Sequence, residues 1–219
     1  MKFKKFELNH SPYIGVYGSV SNEYGLFPKM LTKAQEKIAQ ETLEIEVIKA
    51  DLGEAFVNGA ISKLYKNKVV LAKSSMSKDV KFLEKQGLDV LQLNSYLAVG
   101  NLIAINDNGL LLSPEFSKKA IKDISEFFGK KAESFNVGNI SLVGSAIALN
   151  NTSIAVFPHV SGEEFAELKK IFKAEGNIAT VNYGDGLVAN GLLINDKGVL
   201  MGKKTTGYEI IRLDDVFGW

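Results

Sequence analysis

The alternation of apolar and polar positions follows the same course five times along the chain. Each copy begins near a small residue and continues through an apolar run, a polar turn, a second apolar run, an amphipathic stretch and a third, alternating run. The small residues are Gly15, Gly59, Gly100, Gly144 and Ala189, with steps of 44, 41, 44 and 45 residues. A fixed period of this length is typical of repeat architectures. The pattern predicts strand, turn, strand, helix and strand in every unit.

Helix boundaries recur in the same register. A Ser or Thr follows each small residue by 17 or 18 positions and is predicted to cap a helix: Thr32, Ser77, Ser117, Ser161 and Thr206. Three of these have the Gln or Glu of a capping box three residues later, at Gln35, Glu164 and Glu209. Gly87, Gly129, Gly176 and Gly218 are predicted to end four of the helices.

The turns between the first and second strands are polar and rich in Asn and Gly. They cover 22–25, 66–68, 106–109, 150–153 and 195–198. Asn and Gly tolerate the backbone conformations that hairpin turns need, so Asn106, Asn150 and Asn195 are interpreted as turn formers.

The fifth unit has no third strand of its own, because the sequence ends at Trp219 directly after the last helix. A spare alternating segment, residues 2–8, precedes the first unit. We expect it to pair with the fifth unit and close a ring, which would remove open sheet edges. The prediction is therefore one α/β domain with units at 9–52, 53–94, 95–138, 139–183 and 184–219, completed by the closing strand 2–8.

Composition narrows the range of possible functions. The chain has 219 residues, of which 46% are hydrophobic and 23% charged, as in ordinary globular proteins. A formal net charge of +1 argues against a surface that holds nucleic acid by bulk positive charge. There is no Cys, which excludes disulfides, thiolate zinc sites and a cysteine nucleophile, and only two His, which disfavours a metal centre. We expect no cofactor and no metal.

The same sequence contains no secretory signal and no apolar run of about 18 residues, the length that could span a bilayer. A cytoplasmic location with no membrane association is the expectation.

Motifs in the third to fifth units carry a family resemblance. They are AVGNLIAINDNGLLLSPE (98–115), SLVGSAIALNN and FPH (within 141–159), and TVNYGDGLVANGLLINDKGVL followed by KTTGYE (180–209). In motif, order and spacing the chain resembles the translation initiation factor 6 family, most closely its archaeal form, along essentially its full length. That resemblance implies the pentein fold, a five-fold pseudosymmetric α/β propeller. The second unit departs from the family pattern at its turn, and Ala146 replaces a larger aromatic residue of eukaryotic members.

The resemblance also implies a function. Members of this family bind the large ribosomal subunit on its intersubunit face, block joining of the small subunit and accompany late maturation of the large one. The implied contacts are a uL14-type ribosomal protein and rRNA near the sarcin-ricin loop. Release is assisted by the Shwachman-Bodian-Diamond protein and an elongation-factor-like GTPase. We expect a monomer acting without catalysis.

Candidate contact residues come from the pseudosymmetry and the family motifs. The residues directly after the five small ones should form a ring on one face: Val16, Ala60, Asn101, Ser145 and Asn190. Asn101 is the first candidate because its Gly-Asn dipeptide matches the family, and Asn182 and Thr205 match family motifs as well. The alternative is that these side chains merely satisfy backbone groups at strand ends.

Two other functions are alternatives to ribosome binding. Amidino-transferring penteins use a Cys nucleophile, and a chain without Cys cannot follow that mechanism. A protein-binding scaffold with no ribosomal role is compatible with the composition, and only the family resemblance disfavours it.

Overall fold

The computed structural model describes residues 2–218, and within them fifteen strands form five three-stranded sheets. The strands are β1 (Lys2–Phe6), β2 (Ser19–Val20), β3 (Tyr24–Phe27), β4 (Glu46–Lys49), β5 (Ser62–Tyr65), β6 (Lys68–Leu71), β7 (Asp89–Gln92), β8 (Ile103–Ile105), β9 (Leu110–Leu112), β10 (Ala132–Ser134), β11 (Ile147–Leu149), β12 (Ser153–Val156), β13 (Glu175–Ile178), β14 (Leu192–Ile194) and β15 (Gly198–Gly202).

Five long helices alternate with these strands. They are α1 (Lys33–Leu43), α2 (Ser77–Lys85), α3 (Lys118–Phe128), α4 (Gly162–Phe172) and α5 (Gly207–Phe217). Short helical turns precede the first strand of each unit, at Ile14–Tyr17, Asn58–Ile61, Val99–Leu102, Val143–Ala146 and Val188–Gly191, and another turn lies at Leu52–Glu54. The predicted unit is thus confirmed with one correction, since the five small residues lie in helical turns that the pattern did not predict.

Each sheet combines two kinds of pairing. The first and second strands of a unit are antiparallel neighbours joined by a hairpin, as in β8 and β9. The second and third strands are parallel neighbours joined through the helix, as in β9 and β10. A parallel pair needs such a crossover, which explains why a helix always lies between the last two strands.

The fifth sheet is completed by the other end of the chain. β14 and β15 pair in antiparallel fashion, and β1 supplies the parallel third strand, from Lys2 opposite Gly198 to Phe6 opposite Gly202. The predicted closure is confirmed. The chain is an α/β ring in which the first strand occupies the place that a final strand would take.

The helical turns meet around the axis of the ring, each against the turns of its two neighbours. Glycine makes this approach possible: a Cβ built on Gly100 would lie 1.7 Å from the carbonyl oxygen of Gly59, and one on Gly59 would lie 2.0 Å from that of Gly15. Ala189 takes the fifth place. Small residues are therefore required here by backbone-to-backbone contact.

Helix starts agree with prediction at four of five units. The side chains of Thr32, Ser117, Ser161 and Thr206 each accept a hydrogen bond from the backbone N–H three residues later. The prediction for Ser77 is wrong: α2 begins one residue earlier, at the N-cap Met76, and Asp79 accepts the Met76 N–H at 2.8 Å.

Helix ends are predicted less well. Gly129 and Gly218 are left-handed C-caps as expected, and Gly87 follows the C-cap of α2 with a positive φ. The prediction for Gly176 is wrong, because it lies inside β13 and α4 ends at Lys173, which adopts the left-handed conformation itself.

The core extends across the boundaries between neighbouring units. Five clusters of buried apolar residues each combine side chains from two neighbouring units; one of them joins Val70 of the second unit to Leu110 and Phe128 of the third. The middle strands are buried almost throughout, and β15 is buried at every position. Each unit thus depends on both neighbours for its apolar contacts.

Candidate partner-binding surface at the ring axis

A polar cavity of about 120 Å³ runs along the axis of the ring. The first strands of the units line it, together with two circles of residues. The turn ring comprises the five small residues with Asn101, Ser145 and Asn190, and the hairpin ring comprises Asn22, Lys66, Asp107, Asn151 and Asp196. Each hairpin-ring residue follows the small residue of its unit by seven positions.

Three of the predicted contact residues lie in the turn ring. Asn101 and Asn190 are half-buried, their backbone N–H groups close the helical turns on Ala98 and Leu187, and their side-chain amides have no hydrogen-bond partner within residues 2–218. Ser145 is 2% exposed, and its Oγ makes no hydrogen bond to the part of the chain that the structure describes. The structure therefore brings these three together around the cavity, with Asn101 and Asn190 the more accessible.

Asn182 and Thr205 lie elsewhere. Both are buried, and the Thr205 hydroxyl donates to Asn182 Oδ1 at 3.3 Å. The Asn182 amide donates to the Pro12 carbonyl at 3.0 Å, which ties the N-terminal segment to the fifth unit. This contact with Pro12 gives the pair a structural role at the ring closure. Its involvement in partner binding stays a prediction.

The hairpin ring contains a continuous series of contacts, from Asn22 to Lys66, that sequence reasoning missed. Asn22 donates to Asp196 at 2.6 Å, and Asn151 donates to Asp196 at 2.7 Å and to Asp107 at 3.0 Å. Lys66 forms an ion pair with Asp107 at 3.1 Å. Asn or Asp at the seventh position in four of the five units was the signal that could have revealed it.

Asp107 also receives the hydroxyl of Tyr65, from Oη to Oδ1 at 2.6 Å. Partial burial and this carboxylate raise the pKa of Tyr65 to about 12, and the hydrogen bond from Tyr65 lowers the pKa of Asp107. Both groups keep their ordinary charge at neutral pH. The second and third units are thereby joined at the hairpin ring.

The asparagines interpreted as turn formers do more than form turns. Asn106 Oδ1 accepts the N–H groups of Asn108 and Gly109, as predicted, while its amide donates to the carbonyls of Asn150 and Phe172 in the fourth unit. Asn195 repeats this arrangement from the fifth unit to the first, with the carbonyls of Ser21 and Leu43 as acceptors. Each amide thus holds one hairpin and one neighbouring unit.

With this geometry in view, the chain can be compared with known proteins. The family model described as "eIF-6 family" matches residues 3–216.

The chain belongs to the eIF-6 family.

Relatives agree with that assignment. Translation initiation factor 6 of Saccharolobus islandicus is 32% identical over 222 residues, covering all of both chains. Translation initiation factor 6 of Pyrococcus horikoshii is 29% identical over 226 residues, again covering all of both. The family and these archaeal names indicate a role as a translation factor.

Solved structures identify the fold. The N-terminal domain of ArgZ, an arginine dihydrolase from cyanobacteria, superposes with a TM-score of 0.53 at 11% identity, covering 74% of this chain and 66% of that one. The fold is thus the pentein fold, as predicted, but at this identity the likeness extends to architecture alone. The eIF-6 relatives are named as translation factors rather than enzymes.

Within residues 2–218, no helix is both long and apolar enough to cross a membrane. No cluster of three or more His, Cys, Asp or Glu side chains in that range could hold a metal ion.

Proposed function

We propose that this protein binds the large ribosomal subunit on its intersubunit face and thereby prevents the small subunit from joining. The match to the eIF-6 family over residues 3–216 carries the proposal. The mechanism is steric, needs neither a cofactor nor a catalytic step, and extends to late maturation of the large subunit in the cytoplasm.

The turn ring is the proposed binding face. Asn101 and Asn190 carry half-buried amides without an intramolecular partner among residues 2–218, and both residues line the axial cavity. Such amides both donate and accept hydrogen bonds, so they suit a mixed surface of protein and RNA. The surfaces we propose for contact are a uL14-type ribosomal protein and rRNA near the sarcin-ricin loop.

The near-neutral charge of the chain fits this kind of contact. A net charge of +1 supplies little counterion release, so affinity would come from shape and a few anchoring side chains. A standard interface would cover about 800 Å² of this protein. Release by the Shwachman-Bodian-Diamond protein and an elongation-factor-like GTPase completes the proposed cycle.

Sedimentation with purified archaeal subunits tests the proposal. We expect the protein to sediment with large subunits and to abolish the joined peak when small subunits are added. Failure to bind large subunits at moderate salt would contradict it and favour the scaffold without a ribosomal role.

The variant Asn101→Asp tests whether the turn ring is the face that binds the large subunit. The added carboxylate should weaken binding because it replaces a donor and repels RNA phosphates. The control is Asn94→Asp, the same change in the exposed loop after β7. Equal binding by both variants would move the contact away from the turn ring.

A further inference from the structure

The axial cavity contains a lysine that pseudosymmetry does not explain. Lys63 follows its small residue by four positions, and its counterparts in the other units are buried small or apolar residues: Ser19, Ala104, Ala148 and Leu193. Lys63 lies on β5 and lines the cavity. One unit of five thus directs an ammonium group to a place where the others present no charge.

That ammonium group is unpaired. Lys63 Nζ makes no ion pair and no hydrogen bond within residues 2–218, and burial lowers its pKa to about 8. The carboxylates that line the cavity are already engaged: Asp107 with Tyr65 and Lys66, and Asp196 with Asn22 and Asn151. Lys63 is half-buried, and a partly desolvated positive charge without a partner is costly, so a counter-ion would offset that cost.

A second unsatisfied group lies in the wall of the same cavity, in a different unit. Ser145 Oγ is buried and has no hydrogen-bond partner within residues 2–218, although buried hydroxyls normally have one. Lys63 belongs to the second unit and Ser145 to the fourth, so the two approach the cavity from units that are not adjacent. An ammonium group can only donate, and a hydroxyl can donate.

We infer that the axial cavity of the ring binds a small oxyanion of the phosphate or sulfate type, held by the Lys63 ammonium group and the Ser145 hydroxyl. An ion with several acceptor oxygens can receive hydrogen bonds from more than one wall, which a monatomic anion does less well. The cavity volume of about 120 Å³ equals roughly four water molecules, so one such ion fits. The site shares Ser145 with the turn ring, but phosphate binding does not depend on the proposed ribosomal contact.

Calorimetric titration of the full-length protein with inorganic phosphate is the primary test, with sodium chloride at matched ionic strength as the blank. We expect saturable phosphate binding in the wild type that Lys63→Met weakens at least tenfold. Lys81→Met, the same change at an exposed position of α2, should bind as the wild type does. No binding at millimolar phosphate, or equal binding by Lys63→Met, would overturn the inference.

Two further measurements guard against a variant that folds poorly. Lys63→Arg keeps the charge and should keep phosphate binding, whereas Ser145→Ala should weaken it. In wild-type protein, NMR titration of the Lys63 ammonium group should show its pKa rising when phosphate is added, because a bound anion stabilises the charged form. A Lys63 pKa that phosphate does not move would contradict the site.

Discussion

The starts of helices α5 and α3 show how differently two equivalent places in the ring are built. At α5, Glu209 is buried and accepts five hydrogen bonds, from the backbone of Thr206, Tyr183 and Gly184 and from the hydroxyls of Thr206 and Thr180. At α3, the same third position is Ala120, which accepts nothing, and a surface cavity lined by Asn94, Ser95 and Ala120 lies beside it.

The difference is one carboxylate at the third helical position, which accepts hydrogen bonds from the loop before the helix; we call this contact a helix tie. Glu164 in α4 and Asp79 in α2 form helix ties with fewer hydrogen bonds, from the N–H groups of Gly138 and Gly53. Both glycines, like Gly184, have a positive φ. A left-handed glycine thus directs an N–H group at the helix start wherever a carboxylate is present to accept it. The start of α3, where Ala120 offers no acceptor, is left with an open surface cavity beside it.

Removing residues 1–8 should destabilise the protein more than any other change considered. It deletes β1 from the fifth sheet and also the Glu7 carbonyl that accepts a hydrogen bond from Gln35, the tie of the first helix. Because the core clusters span neighbouring units, we expect loss of cooperative folding rather than a local change. An unchanged melting temperature would contradict the role of the closing strand.

Glu209→Ala should be the most damaging single change among the helix ties. It leaves several buried donors without an acceptor, for an expected loss of about 3–5 kcal/mol in the free energy of unfolding. The control Glu84→Ala, at an exposed position of α2, should change stability by less than about 0.5 kcal/mol. Chemical denaturation measures the free energy of unfolding of both variants. Similar losses for the two would show that the hydrogen bonds of Glu209 do not stabilise the ring.

Acid titration tests the same carboxylate. Burial alone would raise the pKa of Glu209, but the hydrogen bonds from Thr206, Gly184 and Thr180 outweigh it and lower the pKa below 4.5. The stabilisation is therefore complete above pH 4.5 and is lost as the pH falls through the folded-state pKa. The melting temperature should fall more steeply with decreasing pH in the wild type than in Glu209→Gln. An equal pH dependence in the two proteins would contradict a stabilising role of the ionised Glu209 carboxylate.

Ala120→Glu should have the smallest effect, in the opposite direction. With Ser117 already capping α3, a glutamate at this position completes a capping box, worth about 0.5–1 kcal/mol. Thermal melting measures the gain, with Lys118→Gln, which lowers the net charge by the same one unit, as a control for charge alone. A loss of stability would mean that the neighbouring cavity excludes the carboxylate.

Local patterns predicted the helix caps, the hairpin turns and the closing strand, because each depends on residues close together in sequence or on a register repeated five times. The capping partner Glu209 was found in this way, but its bonds to Tyr183 and Gly184 were not, because they join separate segments. The prediction that Ser77 caps α2 is wrong because the Asp79 carboxylate accepts the N–H of Met76. Met76 can therefore be the N-cap although its side chain is not polar.

The candidate site was predicted in part. Counting one position past each small residue found Asn101, Ser145 and Asn190 around one cavity, but not that Ser145 is buried. The hairpin ring and Lys63 are conspicuous only once equivalent positions of all five units are compared around the axis. Asn182 and Thr205 were predicted from matches to family motifs. Their contacts, of Asn182 with Pro12 and of the two residues with each other, could be recognised only in the three-dimensional structure.

The pairing of β1 with β15 also bears on how the protein is made. Lys2 and its partner Gly198 are 196 residues apart, so β1 is synthesised long before β15. During translation β1 stays unpaired until β15 has been produced, and the contact between them then closes a long loop. Contacts so distant in sequence slow folding, so ring closure is expected to be a late, rate-limiting step.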